Sequence, residues 1–201
     1  VLNADVDEVM RQSPRTRAHK LTFGQLGEVR ASSVEFDKNL KPSFVMETPW
    51  GRSEIKLNVA GEHMIPNALA AASVGLASGL PLEAVAEGLS RVELSPLRME
   101  IVTGLNGTTV INDTYNANPT SMKAAIDSLS LLPCNGRKIA FLGLMAELGE
   151  KTSMAHIEVK RHAEELGIEV IAVETELYGD PRVVNLDSVL NEIEGMRLDK
   201  N

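Results

Sequence analysis

Two short apolar runs in the second half of the chain, Ile139-Ala140-Phe141-Leu142 and Val170-Ile171-Ala172-Val173, constrain the fold more than any other feature. Neither alternates with polar residues, so each reads as a strand buried on both faces, the pattern of a parallel sheet covered by helices. Between them, residues 153–166 place Ala155, Val159, His162 and Leu166 at helical spacing, which supplies the crossover that parallel strands need. Upstream, Ile101-Val102 and Thr109-Val110-Ile111 flank the turn dipeptide Asn106-Gly107. Asn118-Pro119 then caps a helix whose Met122, Ala125, Ile126 and Leu129 share one face. Val183-Val184 and a helix near 187–196 extend the series. Strand and helix in alternation predict a parallel α/β domain.

The first half has a different texture. Ile55, Leu57 and Val59 alternate with Lys56 and Asn58 as in a half-buried strand, and Pro49-Trp50-Gly51-Arg52 supplies the turn of a hairpin with Phe44-Val45-Met46, Trp50 packing against it. After Gly61 a helix rich in small residues is predicted over 66–78, with Leu69, Ala72 and Leu76 inward and Gly79 ending it; a second follows over 82–89. Pro96 breaks the helical pattern and a β pattern starts at Met99, so the chain divides into residues 1–97 and 98–201, with Ser95-Pro96-Leu97-Arg98 as the expected hinge.

Composition excludes several classes. With 20 Lys+Arg against 28 Asp+Glu the formal charge is −8, which argues against general affinity for nucleic acid or anionic membranes. The single cysteine, Cys134, permits no internal disulfide and fits a reducing cytoplasm, and no apolar run is long enough for membrane insertion. A monomer is expected. The sequence opens at Val1 without an initiator methionine, and a fragment of a longer chain is expected.

Chemistry concentrates in three segments. Asn112-Asp113-Thr114-Tyr115-Asn116-Ala117-Asn118-Pro119 lies between a predicted strand and a helix, where open α/β sheets bind ligands. Its Asp113 can accept ribose hydroxyls and its Tyr115 can cover a purine, or Asp113 can complete a turn while Asn118 caps the helix. In Gly61-Glu62-His63-Met64-Ile65-Pro66-Asn67, Asn67 can meet a purine edge or cap a helix, and His63 can bond backbone. Arg98 is either a solvated linker charge or a cation for a nucleotide. Gly143-Leu144-Met145-Ala146-Glu147-Leu148-Gly149 follows a strand; Glu147 can meet an ammonium group, position a metal-bound water or face only solvent, and His156 beyond it can be a surface helix residue. Cys134 has no histidine nearby in sequence and is assigned no chemistry. No Gly-x-x-x-x-Gly-Lys-Ser/Thr loop occurs, so a nucleotide site in this chain is incomplete.

Read in order, Gly61-x-His63-x-x-x-Asn67-Ala68-x-Ala70-Ala71, Arg98, Asp113-Thr114-Tyr115-Asn116-Ala117-Asn118-Pro119-x-Ser121-Met122, and Glu147-Leu148-Gly149 with His156 resemble the Mur ligase family. The resemblance covers residues 1 to about 179. It implies that residues 1–97 are the later part of a P-loop-type central ATPase domain and that residues 98–201 are a Rossmann-like C-terminal domain, possibly truncated at its end. Asn67 would contact adenine, Arg98 and Asp113 would hold the nucleotide, and Tyr115 with Asn116 would line its pocket. His63, Asn118, Glu147 and His156 would lie on the substrate or phosphate side.

ATP and Mg²⁺ would serve the reaction, with metal ligands mostly outside the chain. The Tyr-Asn-Ala-Asn-Pro string and the Glu-Leu-Gly loop resemble the branch that joins D-alanyl-D-alanine to UDP-N-acetylmuramoyl-tripeptide through an acyl phosphate. This chain alone would then be inactive, because the P-loop is absent. Leu144 and Met64 depart from the family's usual Asp and Asn, and no Lys-Gly-Ser-Arg string occurs near the end. The alternatives are the third-residue muramyl ligase, folylpolyglutamate synthase, and a non-catalytic Rossmann-like nucleotide-binding module.

Overall fold

The computed structural model describes residues 1–104, 107–179, 182–185 and 187–189. The predicted helix near 187–196 and Asn106 of the predicted turn fall largely or wholly outside them. The chain forms two compact units, Val1–Ser95 and Pro96–Asn201.

The first unit opens with β1 (Leu2–Asn3), a short helix α1 (Asp7–Met10) and β2 (Thr22–Phe23), which pairs in parallel with β1. An antiparallel sheet follows in the order β3-β4-β5, from β3 (Arg30–Phe36), β4 (Pro42–Thr48) and β5 (Gly51–Lys56). The expected hairpin is present, with Phe44 opposite Ile55. Strand pairing stops at Lys56, yet Leu57 still donates to the Pro42 carbonyl and Ile55, Leu57 and Val59 all remain buried. Trp50 is not a packing residue: it stands 53% exposed at the hairpin tip.

Helix α2 (Met64–Ala77) begins two residues before the expected start, because Pro66 sits in its first turn, where a missing N–H breaks no intrahelical bond. Its Leu69, Ala72 and Leu76 join Val85 and Leu89 of α3 (Leu82–Ser90), Phe44 and Met46 of β4 and Ile55 of β5 in one apolar core.

The second unit corrects one expectation. β6 (Glu100–Thr103) and β7 (Thr109–Asn112) pair antiparallel as a separate two-stranded sheet, instead of contributing the first strands of the parallel one. The short connection permits only a hairpin, since parallel strands need a crossover. The parallel sheet has the order β10-β9-β8, from β8 (Ile139–Leu142), β9 (Glu169–Val173) and β10 (Arg182–Val184).

Helices α4 (Pro119–Leu131) and α5 (Thr152–Glu165) pack with these strands around Ile126, Leu142, Val159 and Ala172. The inward face of α5 is Ala155, His156, Val159 and Ala163, one residue around the helix from the expected stripe; His162 bonds Asp127 and Leu166 is 40% exposed. Among the described residues no helix is long and apolar enough to cross a membrane.

Candidate nucleotide and substrate site

The segment around Arg98 is held in an unusual backbone conformation. Leu97 (φ 67°) and Met99 (φ 45°), on either side of it, both occupy the left-handed region without being glycine. Each such residue costs on the order of 1–2 kcal/mol, so the surrounding structure must supply compensating bonds. Two such bonds reach across from the loop after β7. The Met99 amide donates to Asp113 Oδ1 at 3.0 Å, and the Tyr115 amide donates to the Leu97 carbonyl at 3.1 Å. The Met99 side chain, 3% exposed, anchors the segment from below.

The guanidinium of Arg98 is thereby set 3.9 Å from the centroid of the Tyr115 ring. At an exposed site this contact contributes about 0.5–1 kcal/mol. Tyr115 remains 60% exposed, so the pair presents a cation stacked on one face of an exposed aromatic ring. Asp113 is neither a lone turn carboxylate nor a free one: it is the bond that holds Arg98 in register with Tyr115.

The two asparagines after Tyr115 are exposed and make local hydrogen bonds within their own loop. Asn116 Oδ1 accepts from the Ala117 amide at 3.0 Å. Asn118 is the N-cap of α4 with a complete capping box, accepting from the Ser121 amide at 2.9 Å while Ser121 Oγ accepts from the Asn118 amide at 3.2 Å. The loop's far end packs through Ala117 and Met122 onto the apolar cluster that includes Met145 and Tyr178, residues that follow the carboxyl ends of β8 and β9.

The 143–149 loop is fixed from beneath. His156, expected at the surface, is fully buried; its Nε2 accepts from the Met145 amide at 2.9 Å, and Nδ1 lies 2.6 Å from the Thr152 carbonyl. Tyr178 stands edge-on to the His156 ring, centroids 4.9 Å apart, and its hydroxyl donates to the Gly143 carbonyl at 2.7 Å. Burial pushes the Tyr178 hydroxyl far above its ordinary range, so it stays a donor. Glu147 stands exposed with φ 62°. Tyr178 was not singled out from the sequence; its one signal was a place just past a buried strand.

The remaining expected residues belong to the first unit. His63 is the N-cap residue of α2, and its ring lies against Gly61, whose φ of 105° leaves no room for a side chain: a Cβ there would meet His63 Cε1 at 2.5 Å. Asn67 is not a cap. It stands exposed within the first turn of α2, its Nδ2 3.7 Å from Met64 Sδ. A concavity elsewhere in this unit, lined by Glu28, Arg30, Glu47 and Arg52, contains none of the expected residues. Among the described residues, no group of three His, Cys, Asp or Glu side chains is placed to hold a metal ion.

An antiparallel sheet with two covering helices, then a unit whose parallel sheet is preceded by an antiparallel pair flanked by Arg98, Asp113 and Tyr115, define a two-unit α/β protein. Residues 1–75 match the Mur ligase middle domain and residues 97–200 match the Mur ligase, glutamate ligase domain. The chain belongs to the Mur ligase family.

It is 36% identical over 180 residues to the UDP-N-acetylmuramoyl-tripeptide--D-alanyl-D-alanine ligase of Mycobacterium tuberculosis, covering 86% of this chain and 35% of that protein. To the enzyme of the same name from Mycobacterium leprae it is 38% identical over 187 residues, covering 85% and 36%. A crystal structure of MurF from Acinetobacter baumannii superposes with a TM-score of 0.86 at 29% identity, over 98% of this chain and 45% of that one. A MurF ligase from Thermotoga maritima, solved in complex with ADP, shares the fold at TM-score 0.78 and 22% identity, over 98% and 46%. The chain thus spans about a third of the length of the curated relatives it matches.

Proposed function

We propose that this chain is the nucleotide-clamping part of a cytoplasmic, ATP-dependent ligase that joins D-alanyl-D-alanine to UDP-N-acetylmuramoyl-tripeptide. The observation that carries the reading is the Arg98–Tyr115 pair, set by Asp113 in a chain similar to ligases of that name. A guanidinium beside an exposed ring fits a nucleotide, the cation toward phosphate oxygens and the ring toward a purine. ATP supplies the phosphoryl group that activates the tripeptide carboxylate for attack by an amine.

The chain's own residues bind and orient. In the second unit Arg98 offsets phosphate charge while Tyr115 and Asn116 line the nucleoside; in the first, Asn67 offers both a donor and an acceptor to a purine edge. Glu147, exposed on its left-handed turn, attracts the ammonium of the incoming dipeptide. Mg²⁺ would neutralise the transferring phosphoryl group, held mostly by ligands outside this chain.

Calorimetric titration of ATP into this chain and into a longer protein that also carries a P-loop tests the reading. A ligase part binds ATP measurably only in the longer protein. Full-strength binding by this chain alone would instead identify a self-contained nucleotide-binding module.

A further inference from the structure

We infer that His156 and Tyr178 are positioning residues for the amine-donating substrate: they hold the 143–149 loop in the one conformation that presents Leu144 and Glu147 to a small apolar dipeptide. This rests on the ligase reading above. Both side chains are fully buried, and each makes one hydrogen bond to the loop's backbone, His156 through Nε2 and Tyr178 through its hydroxyl. A carbonyl only accepts, so the contact with the Thr152 carbonyl fixes the proton on Nδ1 and leaves Nε2 as the acceptor for the Met145 amide. Tyr178 fixes the carbonyl two residues earlier, at Gly143.

With residues 143 and 145 pinned and the Met145 side chain fully buried, Leu144 between them projects outward, 56% exposed. The turn then closes through left-handed Glu147 and Gly149. The Tyr178 hydroxyl also lies 3.9 Å from Met122 Sδ, so one buried residue ties this loop to the start of α4. A carboxylate and an apolar side chain on a rigid turn complement an ammonium next to a small methyl-bearing carbon.

The test uses the full-length ligase that contains this chain. Tyr178→Phe removes only the hydroxyl; His156→Leu removes both ring bonds, and His156→Gln restores an acceptor for the Met145 amide. Steady-state kinetics should show KM for D-alanyl-D-alanine raised about 5–10-fold by Tyr178→Phe, the effect of one lost hydrogen bond, with KM for ATP unchanged. His156→Leu should match or exceed that and speed hydrogen exchange at the Met145 amide, and His156→Gln should recover part of both. Equal changes in the two KM values, or unaltered dipeptide kinetics in Tyr178→Phe, overturns the inference. So does unaltered Met145 exchange in a folded His156→Leu protein; if that variant does not fold, Tyr178→Phe decides alone. A wild-type enzyme that does not consume the dipeptide overturns the ligase reading and this inference with it, whereas an active wild type with indifferent variants overturns the inference alone.

Discussion

Replacing Asp113 by alanine deletes the acceptor of the Met99 amide and leaves two left-handed residues, Leu97 and Met99, with one fewer bond to hold them. A hydrogen bond to a charged acceptor contributes about 1.5–3 kcal/mol when well shielded. Asp113 is only half-buried, so about 1–2 kcal/mol is the appropriate range here. Relaxation of Met99 toward negative φ would carry Arg98 off the Tyr115 ring, so the loss should register as weaker nucleotide handling as well as lower stability. In the full-length ligase, kcat/KM for ATP should therefore fall about 5–30-fold in Asp113→Ala. Asp113→Asn keeps Oδ1 as an acceptor and should fall less. Unchanged ATP kinetics in Asp113→Ala, with folding verified by circular dichroism, would refute this role of Asp113; equal losses in Ala and Asn would mean that the negative charge, not the bond to Met99, matters.

Three further outcomes follow from the geometry. Gly61→Ala forces a side chain into a backbone with φ 105° and against the His63 ring, and thermal denaturation should show a loss of about 1–3 kcal/mol. Asn118→Ala removes the cap of α4 and should cost about 1 kcal/mol, read from the urea midpoint at constant slope. The hydrogen bond from Arg30 holds the Glu47 carboxyl below the usual carboxylate range, with Arg52 adding to it. Because that pKa is depressed, the stabilisation is complete above the ordinary carboxylate range and disappears as pH falls through the lowered value. Acid titrations of stability should therefore be flatter in Glu47→Gln, and flatter still in high salt for wild type and variant alike.

What the residues alone disclosed, and what they did not, divides along physical lines. Local signals were legible. The unbroken apolar runs marked β8 and β9, Asn118-Pro119 marked a helix start, and small residues with Gly79 marked α2, because each depends on neighbours within one turn or one strand. The motif loops could likewise be placed after strands.

Properties set by contacts far along the chain were not legible. Nothing about Leu97 or Met99 announces positive φ, since the compensating bonds come from Tyr115 and Asp113, far along the chain. His156 looked like a surface histidine on periodicity, and only the Met145 amide and the Tyr178 ring show why an imidazole belongs inside. A rotation of one residue in the face of α5 separates the expected stripe from the real one, within the tolerance of a short helix whose apolar residues are few. The antiparallel β6–β7 pair was readable from Asn106-Gly107 as a hairpin, but not its separation from the parallel sheet, which is a matter of long-range pairing.

Product formation tests the central claim most directly. The full-length protein that contains this chain is incubated with ATP, Mg²⁺, UDP-N-acetylmuramoyl-tripeptide and D-alanyl-D-alanine, and the muramoyl product is weighed by mass spectrometry while phosphate is counted. The account predicts one dipeptide added per phosphate released, with both absent when either the tripeptide precursor or the dipeptide is omitted. Phosphate release indifferent to the dipeptide, or the addition of a single amino acid in its place, would contradict it.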